Sequence, residues 1–424
     1  MLLTTIAVMT SCLNSSSDTA SYNDAAITSF TLGTLTRYQH QTKKDGTDSI
    51  VKKTINGSSY RFHIDQNLKL IYNTDSLPIG TDVAHVLCTV NTKNYGNLFI
   101  QDVEDENVLY IYSSSDTINF TSQRKFIVYS SDNTGNNTEY LVNVNVHKEE
   151  GSDFVWHQLA DSEELQMLTN LKAHFWNGQM YVAGDIGEEN ITFYVDKEGK
   201  LTPVSASSNE LPEGIKCWIG ATKEEIYALS TDNKLMISRD GGTTWEEDIL
   251  DEDPSMLPVR DIAFVSYPLE YAENTEYALM VGNRSKEEYP QETIAMVWRK
   301  IVDNDEYTPE GIWTYLDRSE NNQYTLPRLE NLSLVAYDDG ILAIGGENIG
   351  TDDASPAYTQ IYQSRDDGIT WKANKSYQLP DAFDDATDSM AMATDDDNNL
   401  WLFCGKTGQI WRGRLNKLGW VVQE

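Results

Sequence analysis

Basic residues, histidine and cysteine are all scarce in this chain of 424 residues. Lys and Arg number 32 against 66 Asp and Glu, a net charge of −34. Nucleic-acid binding needs a basic face to neutralise phosphates, so that partner class is excluded. The six histidines are His40, His63, His85, His147, His157 and His174, and none lies beyond residue 174. That leaves no room downstream for a Ser-His-Asp or Cys-His arrangement, or for a His-rich metal site. The four cysteines, Cys12, Cys88, Cys217 and Cys404, have neither disulfide-framework nor zinc spacing. The last three sit in apolar strand-like runs and read as buried free thiols. No metal and no cofactor is expected. The longest uncharged apolar run at the N-terminus covers residues 1–11, about half the roughly 20 residues that a membrane-spanning helix takes.

What is present is globular in character, with 40% hydrophobic and 10% aromatic residues. It is unevenly placed. Residues 1–150 carry 11 basic and 16 acidic side chains, a net of −5; residues 151–424 carry 21 and 50, a net of −29. All ten tryptophans fall between Trp156 and Trp420. The polar stretch Lys148–Asp153 separates the two compositions, giving segments 1–21, 22–150 and 151–424. In the middle segment, short runs of Val, Ile, Tyr and Thr alternate with polar residues, as at 26–32, 59–64, 108–112 and 139–146. Alternation at period two predicts half-buried strands, and seven to eight of them suit an immunoglobulin-type β-sandwich.

The run 1–11 ends in small residues immediately before Cys12, and the polar stretch Asn14–Asp18 follows. This resembles a bacterial lipoprotein signal, although no Lys or Arg precedes the apolar run. The resemblance implies cleavage before Cys12, lipidation of that residue, and a place in the cell envelope as an outer-membrane lipoprotein, surface- or periplasm-facing. The membrane would be met through that lipid anchor alone. The phrases at 24–30, 62–65, 71–78 and 140–147 are similar to the N-terminal domain of a family of secreted lipoproteins common in the Bacteroidota. Those proteins pair an Ig-like module with a β-propeller.

A repeat supports the propeller. Ser238-Arg239-Asp240-Gly241-Gly242-Thr243-Thr244-Trp245 matches Ser364-Arg365-Asp366-Asp367-Gly368-Ile369-Thr370-Trp371. Both fit Ser-x-Asp-x-Gly-x-Thr-Trp and resemble the Asp-box, or BNR repeat. In proteins that carry it, the motif closes the turn between a blade's third and fourth strands. Asp caps turn amides, Gly admits a positive φ, and Trp supplies an apolar face. Looser repeats at 173–184, 334–346 and 390–405 show two apolar strands around an Asx-rich turn. Together they predict an all-β chain: a sandwich, then a five-bladed propeller with blades at about 167–205, 215–250, 258–318, 331–375 and 386–422. The strand at 154–159 either closes the ring or begins a sixth blade.

Three further patterns bear on chemistry. Gly405-Lys406-Thr407-Gly408 lacks the upstream glycine of a phosphate loop, since that position holds Leu400. Asp395–Asn399 starts like a calcium loop but has Leu400 and Lys406 where Gly and Glu belong. Both read as turns. The Asp-box occurs in sialidases, yet the Arg-Ile-Pro signature of those propellers is absent, and a net of −29 opposes an anionic sugar in general terms. No catalytic set emerges. The leading expectation is non-catalytic binding of a glycan or an envelope protein, with Trp and Tyr as stacking faces. The alternatives are a glycosidase or lyase using carboxylates in the propeller funnel, and a purely structural module.

Overall fold

The structure, a computed structural model, describes residues 22–420 apart from 44–46, 133, 188, 205–210, 252, 270–271, 305–310, 317–321, 347–357 and 375. Cys12 lies outside the described residues. Contacts divide the chain after Glu150 into two compact units.

In the N-terminal unit a mixed six-stranded sheet runs in the spatial order 62–65, 70–73, 137–143, 124–129, 97–101, 109–111. A pair formed by Ile27–Leu32 and Cys88–Thr92 packs on it. Ile27, Phe30 and Leu32 meet Ile71, Phe126, Val128, Tyr140 and Val142 in one buried core. The period-two pattern is thus spent on one buried face per strand. Two places depart from that pattern. Leu109–Ile111 is exposed along its whole length, because it is the edge strand and neither face is covered. Thr34–Thr42 and Asp48–Asn56 form a separate hairpin.

The second unit is five four-stranded antiparallel sheets, four of them simple meanders. Blade 1 holds 169–176, 179–186, 189–195 and 201–203; blade 2 holds 215–221, 226–230, 235–238 and 246–247. Blade 3 holds 260–268, 275–283, 296–303 and 314–315; blade 4 holds 330–336, 341–346, 362–364 and 372–373. Blade 5 takes 390–394, 400–404 and 410–415, and its fourth strand comes from the other end of the unit. There Phe154 pairs with Leu415 and Gln158 with Trp411. The strand at 154–158 therefore closes a five-bladed ring, and the described residues contain no sixth blade.

Buried apolar clusters fill four of the five junctions: blades 2–3, 3–4, 4–5 and 5–1. Between blades 1 and 2 no such cluster exists among the described residues. In blades 1, 3 and 4 the second residue of the innermost strand is at positive φ: Asn170 (53°), Asp261 (50°) and Asn331 (50°). At each one the pairing with the second strand slips. Asn and Asp tolerate this left-handed conformation better than other side chains, which accommodates a bulge at each place. The same region is stitched between blades. Asn331 N donates to Asp261 Oδ1 at 3.0 Å, Leu171 N to Ser389 Oγ at 2.8 Å, and Met392 N to Ser333 Oγ at 2.9 Å.

Candidate functional site

The innermost strands of all five blades surround an axial cavity of about 700 Å³. Blade 1 contributes Lys172, His174 and Trp176, which alternate along one strand and so share a face. Blade 2 contributes Trp218 and Thr222, blade 3 Phe264 and Ser266, blade 4 the run 332–336, and blade 5 the run 392–394. The described lining contains no Asp or Glu.

Trp176 and Trp218 are 63% and 50% exposed, which is unusual for indoles and follows from the missing apolar cluster between their blades. Trp218 is backed by Trp245, with ring centroids 5.3 Å apart. Trp245 is itself held by a hydrogen bond from its Nε1 to Gly242 O at 3.0 Å. Lys172 reaches across the axis, its Nζ donating to Ile262 O at 3.0 Å and Leu332 O at 3.4 Å. The side chain lines the cavity and is open to the water in it, with protein packed closely around that opening. Desolvation therefore holds its ammonium below the ordinary lysine value, against the opposing pull of the Asp261 charge. Among the described residues it forms no ion pair. Burial likewise lowers His174, so its imidazole is neutral at pH 7.

Both Ser-x-Asp-x-Gly-x-Thr-Trp copies lie away from this cavity's polar end, in the connections between third and fourth strands of blades 2 and 4. Four side-chain hydrogen bonds around the Asp recur in both copies. Ser238 and Ser364 donate to Asp240 and Asp366 at 2.8 and 2.9 Å, and their hydroxyls accept from Gly242 N and Gly368 N at 2.9 Å. Thr244 and Thr370 donate to the same carboxylates from both N and Oγ1, at 2.8 and 2.7 Å in each copy. The Thr244 and Ser238 donors, among others, pull Asp240 down to about 2. Burial opposes the same effect at Asp366, which still ends below its ordinary value. A carboxylate so engaged is poorly placed to act as an acid or base.

The stretches 395–399 and 405–408 are also turns. Asp395 accepts from the backbone of Asp397 and Asn399, the Asn399 amide and Trp401 Nε1, so its lone pairs are engaged. Residues 405–408 connect two strands of blade 5, with Lys406 and Gly408 at positive φ. No group of three His, Cys, Asp or Glu suited to a metal occurs among the described residues. Cys88 and Cys404 are buried, while Cys217 is only half-buried, a correction to the sequence reading. It sits on the inner strand of blade 2, beside the junction that lacks an apolar cluster.

The chain matches the DUF6242 beta propeller domain over residues 192–423 and the DUF6242 N-terminal domain, a domain of unknown function, over 30–144. It belongs to the DUF6242 family. No protein with a curated description matches it. Among solved structures, the DUF6242 chain is similar to an endo-arabinase from Bacteroides thetaiotaomicron at 10% identity and a TM-score of 0.35. That match covers 58% of this chain and 92% of the other. It is also similar to the six-bladed fucose-recognising lectin of Aleuria aurantia, at 10% identity and a TM-score of 0.30. There 57% of this chain and 73% of the other are covered. Likenesses this distant carry no inference about activity.

The most charged buried feature of the DUF6242 propeller lies off the axis, between blades 2 and 3. Lys300 Nζ, fully buried, contacts Glu225 Oε2 at 3.1 Å and Asp248 Oδ2 at 3.0 Å. Trp313 Nε1 donates to the same Asp248 oxygen at 2.9 Å, the Tyr227 hydroxyl donates to Glu225, and Arg239 Nε reaches Glu225 at 3.1 Å. Burial alone would raise Glu225, but Tyr227, Lys300 and Arg239 outweigh it and hold the carboxyl low. Every member is satisfied within the cluster, so it is a clasp between blades rather than an open site.

Proposed function

We propose that this chain is an exported, lipid-anchored protein of the cell envelope whose propeller binds a glycan without chemically altering it. In this reading residues 1–21 are signal and tether, Cys12 carries the lipid, and the N-terminal unit is an Ig-like β-sandwich spacer. The two Ser-x-Asp-x-Gly-x-Thr-Trp turns act as structural Asp-boxes.

One observation carries the binding reading: an axial cavity that presents two half-exposed indoles beside hydroxyl and imidazole groups. Flat aromatic faces suit the apolar faces of sugar rings, and Ser266, Thr222 and His174 offer hydrogen bonds to hydroxyls. Concave, mostly apolar pockets with a few convergent polar groups are the usual form of ligand sites. A glycosidase or lyase working through a carboxylate pair finds no such pair in the described lining. An envelope protein as ligand remains the other member of the binding class, and the panel below separates it from a sugar.

The test is a glycan panel probed with the purified chain and with Trp218→Ala and Trp176→Ala. Either variant is expected to weaken binding roughly tenfold or more, as aromatic anchors do. Both are expected to keep their melting temperature, since exposed substitutions rarely exceed about 0.5 kcal/mol. Absence of binding across the panel, or unchanged binding by both variants, refutes the reading. The anchor is tested separately: Cys12→Ala should release the protein from membranes, and equal retention sinks that part.

A further inference from the structure

The described walls of the axial cavity carry one cation and no carboxylate, within a domain whose sequence has a net charge of −29. From this juxtaposition of Lys172 with Trp176 and Trp218 we infer that the cavity takes a carboxylate-bearing sugar, a uronic acid within a short oligosaccharide. The inference rests on the glycan-binding reading and names its ligand class.

The sequence pointed the other way, because summed charge opposes an anion. Summed charge is a poor guide here. Exposed charges are screened over about 8 Å at physiological ionic strength, so acids on the outer surface count for little at the cavity wall. Among the described lining residues, the charge nearest to an anion in the cavity is the Lys172 ammonium. The two backbone carbonyls at 3.0 and 3.4 Å solvate that ammonium without neutralising it. They also occupy only two of its three donors. Asp261, the acid whose charge Lys172 feels, is engaged elsewhere, accepting from Asn283 Nδ2 at 2.9 Å and Asn331 N at 3.0 Å.

Spacing gives the ligand its length. Lys172 and Trp176 lie four residues apart on one strand, or about 13 Å along it. A sugar ring stacked on the indoles therefore cannot itself reach the ammonium, and the acid group belongs to a neighbouring ring. His174 sits between the two ends, neutral and without a hydrogen-bond partner among the described residues, in position to meet a bridging hydroxyl. The indole end lies at the open junction of blades 1 and 2.

Calorimetry on the full chain at physiological salt tests this with three probes: hexuronic-acid oligosaccharides, the same oligosaccharides after carboxyl reduction, and the carboxyl-reduced oligosaccharides bearing sulfate in place of the acid. The acid form is expected to bind roughly tenfold or more tightly than the reduced form, the range for a hydrogen bond to a charged group. Lys172→Met should erase that difference while keeping binding to the reduced form, and Lys172→Arg should keep part of it. Equal affinity for acid and reduced forms, or a preference that survives Lys172→Met, overturns the inference and leaves glycan binding standing. Preference for the sulfated probe overturns the carboxylate assignment. Loss of all binding in the wild-type chain overturns both readings. The acid-against-reduced comparison needs no variant, so it decides even if Lys172→Met fails to fold.

Discussion

Replacing Lys300 by Met tests whether the clasp between blades 2 and 3 holds the propeller together. Lys300 is fully buried and meets two carboxylates at 3.1 and 3.0 Å, with the Tyr227 ring 5.2 Å away. Methionine nearly matches its volume but removes the charge, leaving Glu225 and Asp248 facing each other out of water. Breaking a buried ion pair from one side costs about 3–5 kcal/mol. For a unit of this size, about 2–4 °C per kcal/mol converts that to a Tm lower by roughly 6–20 °C. Urea unfolding at pH 7.5, followed by tryptophan fluorescence, reads the free energy, and calorimetry reads Tm. The sign with pH is also fixed. In the native chain the Glu225 carboxyl is depressed, so it contributes stability that is present above its unfolded pKa and lost as pH falls through the folded one. Lys300→Met removes part of that depression, while Tyr227 and Arg239 remain. The gap between native chain and variant should therefore narrow as pH falls below the ordinary Glu value of 4.5. The triple change Lys300→Met, Glu225→Gln, Asp248→Asn should recover most of the loss, because neutral groups tolerate that site. A loss below about 1 kcal/mol, or a gap indifferent to pH, refutes the clasp.

Three other expectations follow from local geometry. Trp371 is 3% exposed in the core between blades 3 and 4, whereas Trp245 borders the open junction. Trp371→Ala should cost about 3–5 kcal/mol and Trp245→Ala clearly less; equal losses in urea would mean that burial is not what distinguishes the two copies. Gly368 sits at φ +93 with a Cβ position 2.8 Å from Leu279 Cδ1, while Gly242 at φ +88 has nothing closer than 3.7 Å. Gly368→Ala should therefore lower Tm more than Gly242→Ala, and the reverse order refutes the packing argument. Burial pushes the Cys88 thiol up to about 12 and raises Cys404 further, while Cys217 is half-buried. Alkylation of the native chain at pH 8, followed by mass spectrometry, should find Cys217 first.

Much of this architecture was legible as sequence because blades are local. Paired apolar runs around an Asx turn, such as 334–346, report a hairpin without any distant information. The Ser-x-Asp-x-Gly-x-Thr-Trp copies likewise contain all the partners they use. What was hidden depends on residues far apart in the chain. Glu225, Asp248 and Lys300 are three acids and bases among many until folding brings blades 2 and 3 together. Trp176 and Trp218 look like the other tryptophans, and only the missing apolar cluster between their blades sets them apart. Lys172 was masked by the domain's acidity. One signal was present and unread: Asn170-Leu171, Asp261-Ile262 and Asn331-Leu332 recur at the start of inner strands, where a short Asx accepts positive φ before an apolar residue.

The pairing of Phe154–Gln158 with Ile410–Leu415 also sets a timetable for the ribosome. Roughly 250 residues separate the two partners, which at about 5–20 residues per second means roughly 12–50 s between their syntheses. For that interval the earlier strand lacks the partner it pairs with in the finished ring, and an unpaired strand edge is a template for pairing with another chain. A cell making this chain must shield that edge until the last blade emerges.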